Sequence, residues 1–245
     1  MAFKHKAEKK KPIHVCICTP AYDGKVEVNY AQSIAESAWC AAVYGVQVTA
    51  AVMGNGAFID LARNLFVKKF LELHKECTHL FFVDADLRFH PHAFLGLLQS
   101  GHPICAGIYR RRQEPEDYPF RILEEPKNGG LWFIDDWLQC DRVPTGFLCI
   151  SREVLEEMSK DAPTYYVHGE GQVPQLFYTK VLDGKFIGED YCFCDDYVKK
   201  YGKGIPVWAN LEFIHGGYKG NFFEWMERDV ERQKREREEN ASSAA

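Results

Sequence analysis

The sequence predicts an α/β fold of the Rossmann type: a mixed, mostly parallel central sheet flanked by helices, with a small antiparallel insertion and a C-terminal helix. Residues 80–83 form an unbroken apolar run, which is typical of a strand buried on both faces of such a sheet. Residues 57–74 carry apolar side chains at steps of three and four, as amphipathic helices do. A chain of 245 residues can form one large domain of this kind.

Strands and helices alternate through the first part of the chain. Residues 13–19 predict the first strand, and the turn-forming residues 20–24 end it. The following elements are predicted in order: a helix over 30–44, a strand over 46–53 closed by Gly54-Asn55-Gly56, the helix over 57–74, the strand over 80–83, a helix over 91–99 opened by Pro91, and a strand over 103–108.

The second part of the chain begins with a change of composition. Residues 113–142 are rich in Pro, Gly, acids and aromatics, which favours short antiparallel strands and loops inserted in the same domain. Ser151 is a plausible N-cap for the next helix. The remaining predictions are a core strand over 143–150, a helix ending near 160, a loop and hairpin over 161–187, a helix over 191–202, strands over 205–209 and 211–214, and a helix over 222–239.

Composition limits the class of protein. A formal net charge of −5 lacks the basic excess of nucleic-acid-binding proteins, so no nucleic-acid partner is expected. No apolar run approaches the roughly 18 residues of a transmembrane helix. The 9 cysteines lack zinc-ligand spacing, and no signal peptide is recognisable. We therefore expect a soluble protein of a reducing, cytoplasmic compartment, and its oligomeric state is left open.

Three regions are expected along the chain. Residues 1–11 are lysine-rich and predict a disordered basic arm. Residues 12–221 predict a single domain. Residues 222–245 predict a charged helix and tail.

The most informative motif is a pair of carboxylates at the end of a buried strand. Asp84 and Asp86 are separated by Ala85 and directly follow residues 80–83. Ligands of open α/β sheets bind at the carboxyl ends of strands, and a divalent cation removes the repulsion between two such carboxylates. The pair therefore predicts a Mg²⁺ or Mn²⁺ site that serves a nucleotide. The alternative is that Asp84 caps a turn and Asp86 is solvated.

Further polar residues lie at other strand and helix ends. Arg63, in the first turns of the helix over 57–74, is poorly placed for the helix dipole, so it either pairs with Asp60 or reaches a nucleotide. Residues 110–112 are three arginines, which form a solvated patch or receive an anionic substrate. Glu189 and Asp190 either complement a helix dipole or present a general base. His215 lies in a glycine-rich loop that a ligand can approach closely.

The order of these motifs resembles that of the GT-A-fold glycosyltransferases over residues 12–221. In that superfamily the D-x-D motif binds a divalent metal carried by a nucleoside-diphosphate sugar. A later acidic motif similar to Glu189-Asp190 supplies the base in inverting members, and a C-terminal histidine completes the metal shell. His215 and Lys219 are similar to the H-x-x-G-x-x-K loop of some retaining members, although the spacing here is shorter by two.

The resemblance implies a GT-A-like catalytic domain that moves a sugar, from a UDP-sugar by preference, to a hydroxyl of a glycan or other acceptor. It assigns Mn²⁺ or Mg²⁺ to Asp84, Asp86 and His215, and catalysis to Asp190 seconded by Glu189. The implied donor-binding residues are Thr19, Pro20, Ala21, Tyr22, Asp60, Arg63, Asn64, Asp84, Ala85 and Lys219.

Other functions are compatible with the same sheet and metal chemistry. A nucleotidyltransferase that forms a nucleotide-sugar typically has a glycine-rich basic loop after its first strand, whereas this chain has only Lys25 there. A non-catalytic module that binds nucleotide-sugars or glycans would not need Asp84, Asp86 and Asp190 together. A retaining mechanism, in which Asp190 only orients the sugar, also remains open.

Overall fold

The fold is built on a nine-stranded sheet. The computed structural model describes residues 12–54, 58–123 and 131–243. The described helices are α1 (Val28–Val43), α2 (Ile59–Leu73), α3 (Pro91–Gln99), α4 (Arg152–Asp161), α5 (Glu189–Tyr201) and α6 (Phe222–Ser243). The described strands are β1 (His14–Ala21), β2 (Gln47–Gly54), β3 (His79–Val83), β4 (Leu87–Phe89), β5 (Ile104–Ala106), β6 (Arg121–Ile122), β7 (Phe133–Ile134), β8 (Trp137–Arg142), β9 (Phe147–Ser151), β10 (Thr164–Val167), β11 (Gly171–Pro174), β12 (Lys180–Leu182), β13 (Lys185–Ile187), β14 (Ile205–Val207), β15 (Glu212–His215) and β16 (Tyr218–Asn221).

The central sheet has the order β2-β1-β3-β9-β5-β14-β8-β6, with β7 on β8. β1 pairs in parallel with β2 and β3, and β5 pairs in parallel with β14. β9 runs antiparallel between β3 and β5, and β8 runs antiparallel to β14. The sheet is thus mixed, with only β8 and β9 opposed to the other strands.

The two faces of the sheet are each covered by helices, because alternate residues of a strand point to opposite faces. In β1, Cys16 and Cys18 pack with α2, α4 and α5, whereas Val15 and Ile17 pack with α1 and α3. Such double burial explains why β1 and β3 are almost wholly apolar. The nine cysteines are free thiols, and all except the half-buried Cys40 are buried.

The predicted fold class is confirmed: an α/β protein with a largely parallel central sheet, flanking helices, small antiparallel sheets and a C-terminal helix. Ser151 caps α4 as predicted, accepting a hydrogen bond from the Val154 amide. The first turns of α6 pack Phe222 and Met226 into the core. No described helix is long and apolar enough to cross a membrane.

The insertion over 113–142 contains short antiparallel strands, as predicted, and these strands extend the central sheet because β8 pairs with β14. One detail of the prediction is wrong. The strand predicted over 143–150 begins later, at Phe147, because Pro144 lacks an amide donor and Thr145 and Gly146 form a turn. The predicted arm over 1–11 and the turn residues Asn55 and Gly56 lie outside the described residues.

One short strand that the sequence did not indicate positions the site. β4, only three residues long, pairs antiparallel with β15, which also pairs with β16. In this register Leu87 lies opposite His215. The pairing therefore places Asp86, the residue before β4, beside the end of β15, where the Gly216 amide donates to the Asp86 carbonyl at 3.1 Å.

Candidate functional site

A cavity of about 830 Å³ opens at the carboxyl ends of β1 and β3, beside the first turns of α2 and α5. This is the edge at which open α/β sheets bind ligands. The predicted site residues that line the cavity are Pro20, Tyr22, Arg63, Asp84, Ala85, Asp86, Glu189, Asp190 and His215.

Asp84 is held by a dense set of hydrogen bonds where β3 ends. Its amide donates to the Gly146 carbonyl at 2.9 Å. One carboxylate oxygen accepts from Arg63 Nη2 at 3.2 Å, and the other accepts from the Tyr109 hydroxyl at 2.9 Å. Because each carboxylate oxygen has two lone pairs, both oxygens keep capacity for a further partner. Asp84 is therefore fixed in position without being saturated.

Arg63 is a buried cation, with only 3% of its surface exposed. Its Nη2 pairs with Asp84, and its Nε lies 3.6 Å from a carboxylate oxygen of Glu189. Burial alone would lower the pKa of Arg63, but the charges of Asp84 and Glu189 raise it above its ordinary value. Arg63 thus links the end of β3 to the start of α5, rather than pairing with Asp60.

Asp86 and His215 form a second pair of neighbouring side chains in the cavity lining. His215 Nε2 lies 3.4 Å from Asp86 Oδ1, and His215 Nδ1 lies 2.8 Å from the Arg110 carbonyl. Burial alone would raise the pKa of Asp86, but the hydrogen bond from His215 lowers it. Burial likewise would lower the pKa of His215, but Asp86 and the Arg110 carbonyl raise it. The carbonyl can bind only a protonated Nδ1, so a neutral His215 keeps its lone pair on Nε2, towards Asp86.

Glu189 and Asp190 open α5, where acids complement the helix dipole. Asp190 Oδ1 accepts from the Tyr191 amide at 2.8 Å. Burial, followed by repulsion from Glu189, raises the pKa of Asp190 from 3.8 to about 6. A half-buried carboxyl with such a pKa can exchange a proton near neutral pH, as a general base must.

Other predicted site residues lie outside the cavity lining. Thr19 is buried, with its hydroxyl 2.5 Å from that of Tyr30, and Ala21 is buried beside it. Asp60 lines a separate cavity beyond α2. Lys219 is exposed and pairs with Glu212 at 2.7 Å.

Asn64 also faces away from the main cavity, since it lines the same separate cavity as Asp60. Its amide oxygen accepts from the amides of Leu176 and Phe177, and its nitrogen donates to the Phe177 carbonyl at 2.7 Å. The side chain is therefore occupied in holding the loop before β12.

Eight of the described residues that line the cavity were not among the predicted donor, metal or catalytic residues. Three of the eight contact Asp84, Asp86 or Arg63: Tyr109, Arg112 and Thr145. Tyr109 follows the apolar segment that contains β5, so its position at a strand end was a usable signal. Arg112 was recognised only as one of three consecutive arginines. Thr145 gave no such signal, because it lies in a turn within what reads as one apolar run.

Gly146 makes the arrangement around Asp84 possible. A Cβ at this position would overlap the Asp84 carboxylate and the Tyr109 hydroxyl. We expect Gly146→Ala to lower the free energy of unfolding by about 1–3 kcal/mol, as overpacked buried sites do. Urea unfolding measures this loss. Tyr109→Phe removes the hydroxyl, so the double variant should recover part of the stability that Gly146→Ala loses. If the losses of the two single variants simply add in the double variant, the assigned overlap is contradicted.

Asp86 and His215 present the donor atoms that fit a hard divalent cation. A carboxylate oxygen and an imidazole nitrogen at 3.4 Å could bind one ion at ordinary ligand distances after a small shift. The imidazole is oriented by a carbonyl on its other nitrogen, as metal-binding histidines commonly are. Within the described part of the chain, the compact trio of potential ligands is instead His14, Glu76 and Cys77, at the opposite edge of the sheet.

Comparisons with known proteins bear on the fold. The chain matches no protein-family model and no curated protein sequence. It is similar to the crystal structure of A197 from STIV, with a TM-score of 0.50 and 16% identity, over 83% of this chain and 85% of the other. A second structure, a glycosyltransferase involved in glycosylation of the major capsid of PBCV-1, has a TM-score of 0.32 and 10% identity, over 60% of this chain and 63% of the other. The first likeness supports the fold alone.

Proposed function

We propose that the protein transfers a sugar from a nucleoside-diphosphate sugar, by preference a UDP-sugar, to a hydroxyl of a glycan or other acceptor, with Mn²⁺ or Mg²⁺. One observation carries this proposal. A single cavity holds both the Asp86–His215 pair and Asp190, whose pKa is about 6. The Asp86–His215 pair has the ligand atoms that a metal-diphosphate complex needs, and Asp190 has the pKa that a base for the acceptor hydroxyl needs.

The charge of the cavity favours a metal-bound donor. Within the described residues, six carboxylates line it, against the basic side chains of Lys25, Arg63 and Arg112. Arg63 is already shared between two of these carboxylates. A free nucleoside diphosphate would be repelled by the remaining negative charge, whereas its complex with a divalent cation would not. The lining carboxylates are Asp23, Glu27, Asp84, Asp86, Glu189 and Asp190.

Asp86 and His215 would hold the cation, and Asp84 would add a carboxylate oxygen from its fixed position. When bound, the cation would neutralise the diphosphate and stabilise it as a leaving group. Because His215 binds metal only when neutral, metal affinity should fall as the pH drops through its raised pKa. Pro20 and Tyr22, at the end of β1, would receive the nucleoside.

Asp190 would act on the acceptor. Its carboxylate takes the proton of the acceptor hydroxyl while that oxygen forms a bond to the anomeric carbon. The bond from this carbon to the diphosphate oxygen breaks, and its electron pair leaves with the diphosphate. Attack opposite the leaving group inverts the anomeric configuration. Burial, and then the charge of Glu189, keep the pKa of Asp190 high enough for it to accept a proton near neutrality.

Turnover tests this function directly. With Mn²⁺, we expect release of UDP or GDP from one member of a panel of UDP- and GDP-sugars, faster when glycan acceptors are added. Proton NMR of the product gives its anomeric configuration. Formation of pyrophosphate from a nucleoside triphosphate and a sugar 1-phosphate would instead establish a nucleotidyltransferase. Metal-dependent binding without turnover of any donor would indicate a binding module.

A further inference from the structure

The three consecutive arginines after β5 have different surroundings. Arg110 is buried and donates to the carbonyls of Lys219 and Gln113. Arg111 pairs with Asp117 at 2.8 Å and does not line the cavity. Arg112 lines the cavity, and its side chain is 57% exposed. Of the three, Arg112 alone presents its guanidinium to a ligand in the cavity.

Arg112 forms an ion pair with Asp86, the same carboxylate that could bind a metal. Its Nη1 lies 2.7 Å from Asp86 Oδ2, while His215 approaches Oδ1 of the same group. A divalent cation bound to Asp86 carries twice the charge of a guanidinium and would compete with it. The ion pair is largely exposed on the arginine side, so separating it costs little.

The turn after β15 is shaped to let Arg112 lie across it. Gly216 has a φ of +54°, and a Cβ there would overlap the Arg112 side chain at Cδ. The guanidinium is thus kept beside the turn that follows His215, at the cavity. After a small displacement from Asp86, the guanidinium would remain beside a phosphate bound to a cation on the same carboxylate.

We infer that Arg112 is a phosphate-binding residue of the donor site: it pairs with Asp86 in this structure and moves to the diphosphate when a metal-bound donor takes up Asp86. This inference rests on the proposed function and adds a residue to it. A guanidinium matches two phosphate oxygens with parallel hydrogen bonds, which a solvated lysine does not. Among the described basic residues that line the cavity, Arg112 is exposed and pairs directly with Asp86, whereas Lys25 pairs with Asp23.

If Arg112 moves from Asp86 to the diphosphate, Arg112→Gln should change the affinities for Mn²⁺ and for UDP in opposite directions. Mn²⁺ alone should bind about twofold to fivefold more tightly, because an exposed competing ion pair is removed. UDP at saturating Mn²⁺ should bind about tenfold or more weakly, because a charge-assisted contact to phosphate is lost. Free Mn²⁺ is measured by electron paramagnetic resonance and UDP binding by calorimetry. Arg112→Lys should fall between the wild type and Arg112→Gln in UDP affinity.

Arg111→Gln is the matched control, because it removes the same charge one residue away. It should change neither affinity by more than about twofold. If Arg112→Gln and Arg111→Gln behave alike while the wild type binds UDP with Mn²⁺, the role of Arg112 is overturned and the proposed function stands. If Mn²⁺ binds more weakly to Arg112→Gln, the competition is overturned. If the wild type binds neither UDP nor GDP with metal, both proposals fail.

Discussion

Asp190→Asn is expected to lower the rate of sugar transfer by about 10²- to 10⁴-fold, the usual contribution of a general base. The amide keeps the size of the side chain but cannot accept the acceptor's proton. Binding of the metal-donor complex should change little, because Asp190 is not among the groups that fit the metal. Initial rates with the active donor, together with calorimetric titration of the nucleotide, separate the two effects. A variant with near-normal turnover would remove Asp190 from the mechanism.

The wild-type rate should follow the ionisation of the same group. Burial and Glu189 raise the pKa of Asp190 to about 6, so the carboxyl is largely protonated at pH 5 and largely ionised at pH 7. We therefore expect the transfer rate at saturating metal and donor to rise with pH, with a midpoint near 6, and then level off. A flat profile between pH 5 and 8 would contradict this role.

Stability provides the folding control for the variant. Folding raises the pKa of Asp190, so the protonated carboxyl contributes to the stability of the folded state. This contribution is fully present below about pH 4 and is lost as the pH rises through about 6. Above that range the protein carries a buried charge, at a cost on the order of 3 kcal/mol. Asp190→Asn should therefore be more stable than the wild type in urea at pH 7.5, and nearly equal to it at pH 4. An inactive variant that is also less stable at pH 7.5 would point to misfolding.

Asp86→Ala is expected to weaken metal-dependent nucleotide binding by about 100-fold or more, because in the proposed site it would remove a ligand of the cation that binds the diphosphate. The proposal rests on the position of Asp86, which the pairing of β4 with β15 brings beside His215 Nε2. A loss of less than about threefold would mean that the cation does not bind Asp86.

Asp23→Ala is a suitable control for this variant. Asp23 lines the same cavity and pairs with Lys25 at 3.9 Å, in a loop where both side chains are exposed. Its removal lowers the negative charge of the cavity by the same amount without touching the Asp86–His215 pair. Binding should change by no more than a few fold. Equal losses in both variants would show a general effect of charge rather than metal coordination.

The strand ends that carry the site could be predicted from sequence, because buried parallel strands leave an apolar signal that stops abruptly. Leu80–Val83 gave this signal, and it placed Asp84 and Asp86 at the correct edge of the sheet. The sequence also predicted a helix directly after Glu189 and Asp190, at residue 191, and the observed helix begins two residues earlier, at Glu189. Local periodicity and capping chemistry were sufficient for these positions.

The sequence could not predict in the same way which side chains face the site and which strands pair beside it. Asp60, Arg63 and Asn64 share the first turns of α2, yet Arg63 points into the main cavity while Asp60 and Asn64 line another. The pairing of β4 with β15 joins segments more than 120 residues apart, and three residues are too few to show a strand period. These contacts depend on tertiary packing, which no local pattern encodes.

Calorimetric titration of the wild-type protein with UDP and with GDP, in Mn²⁺ and again in EDTA, tests the proposed metal-nucleotide site most directly. We predict binding of one nucleotide in Mn²⁺, UDP by preference, and binding at least about tenfold weaker in EDTA. Equal affinity in the two buffers, or no binding of either nucleotide, would contradict the assignment of Asp86 and His215 to a metal-bound donor.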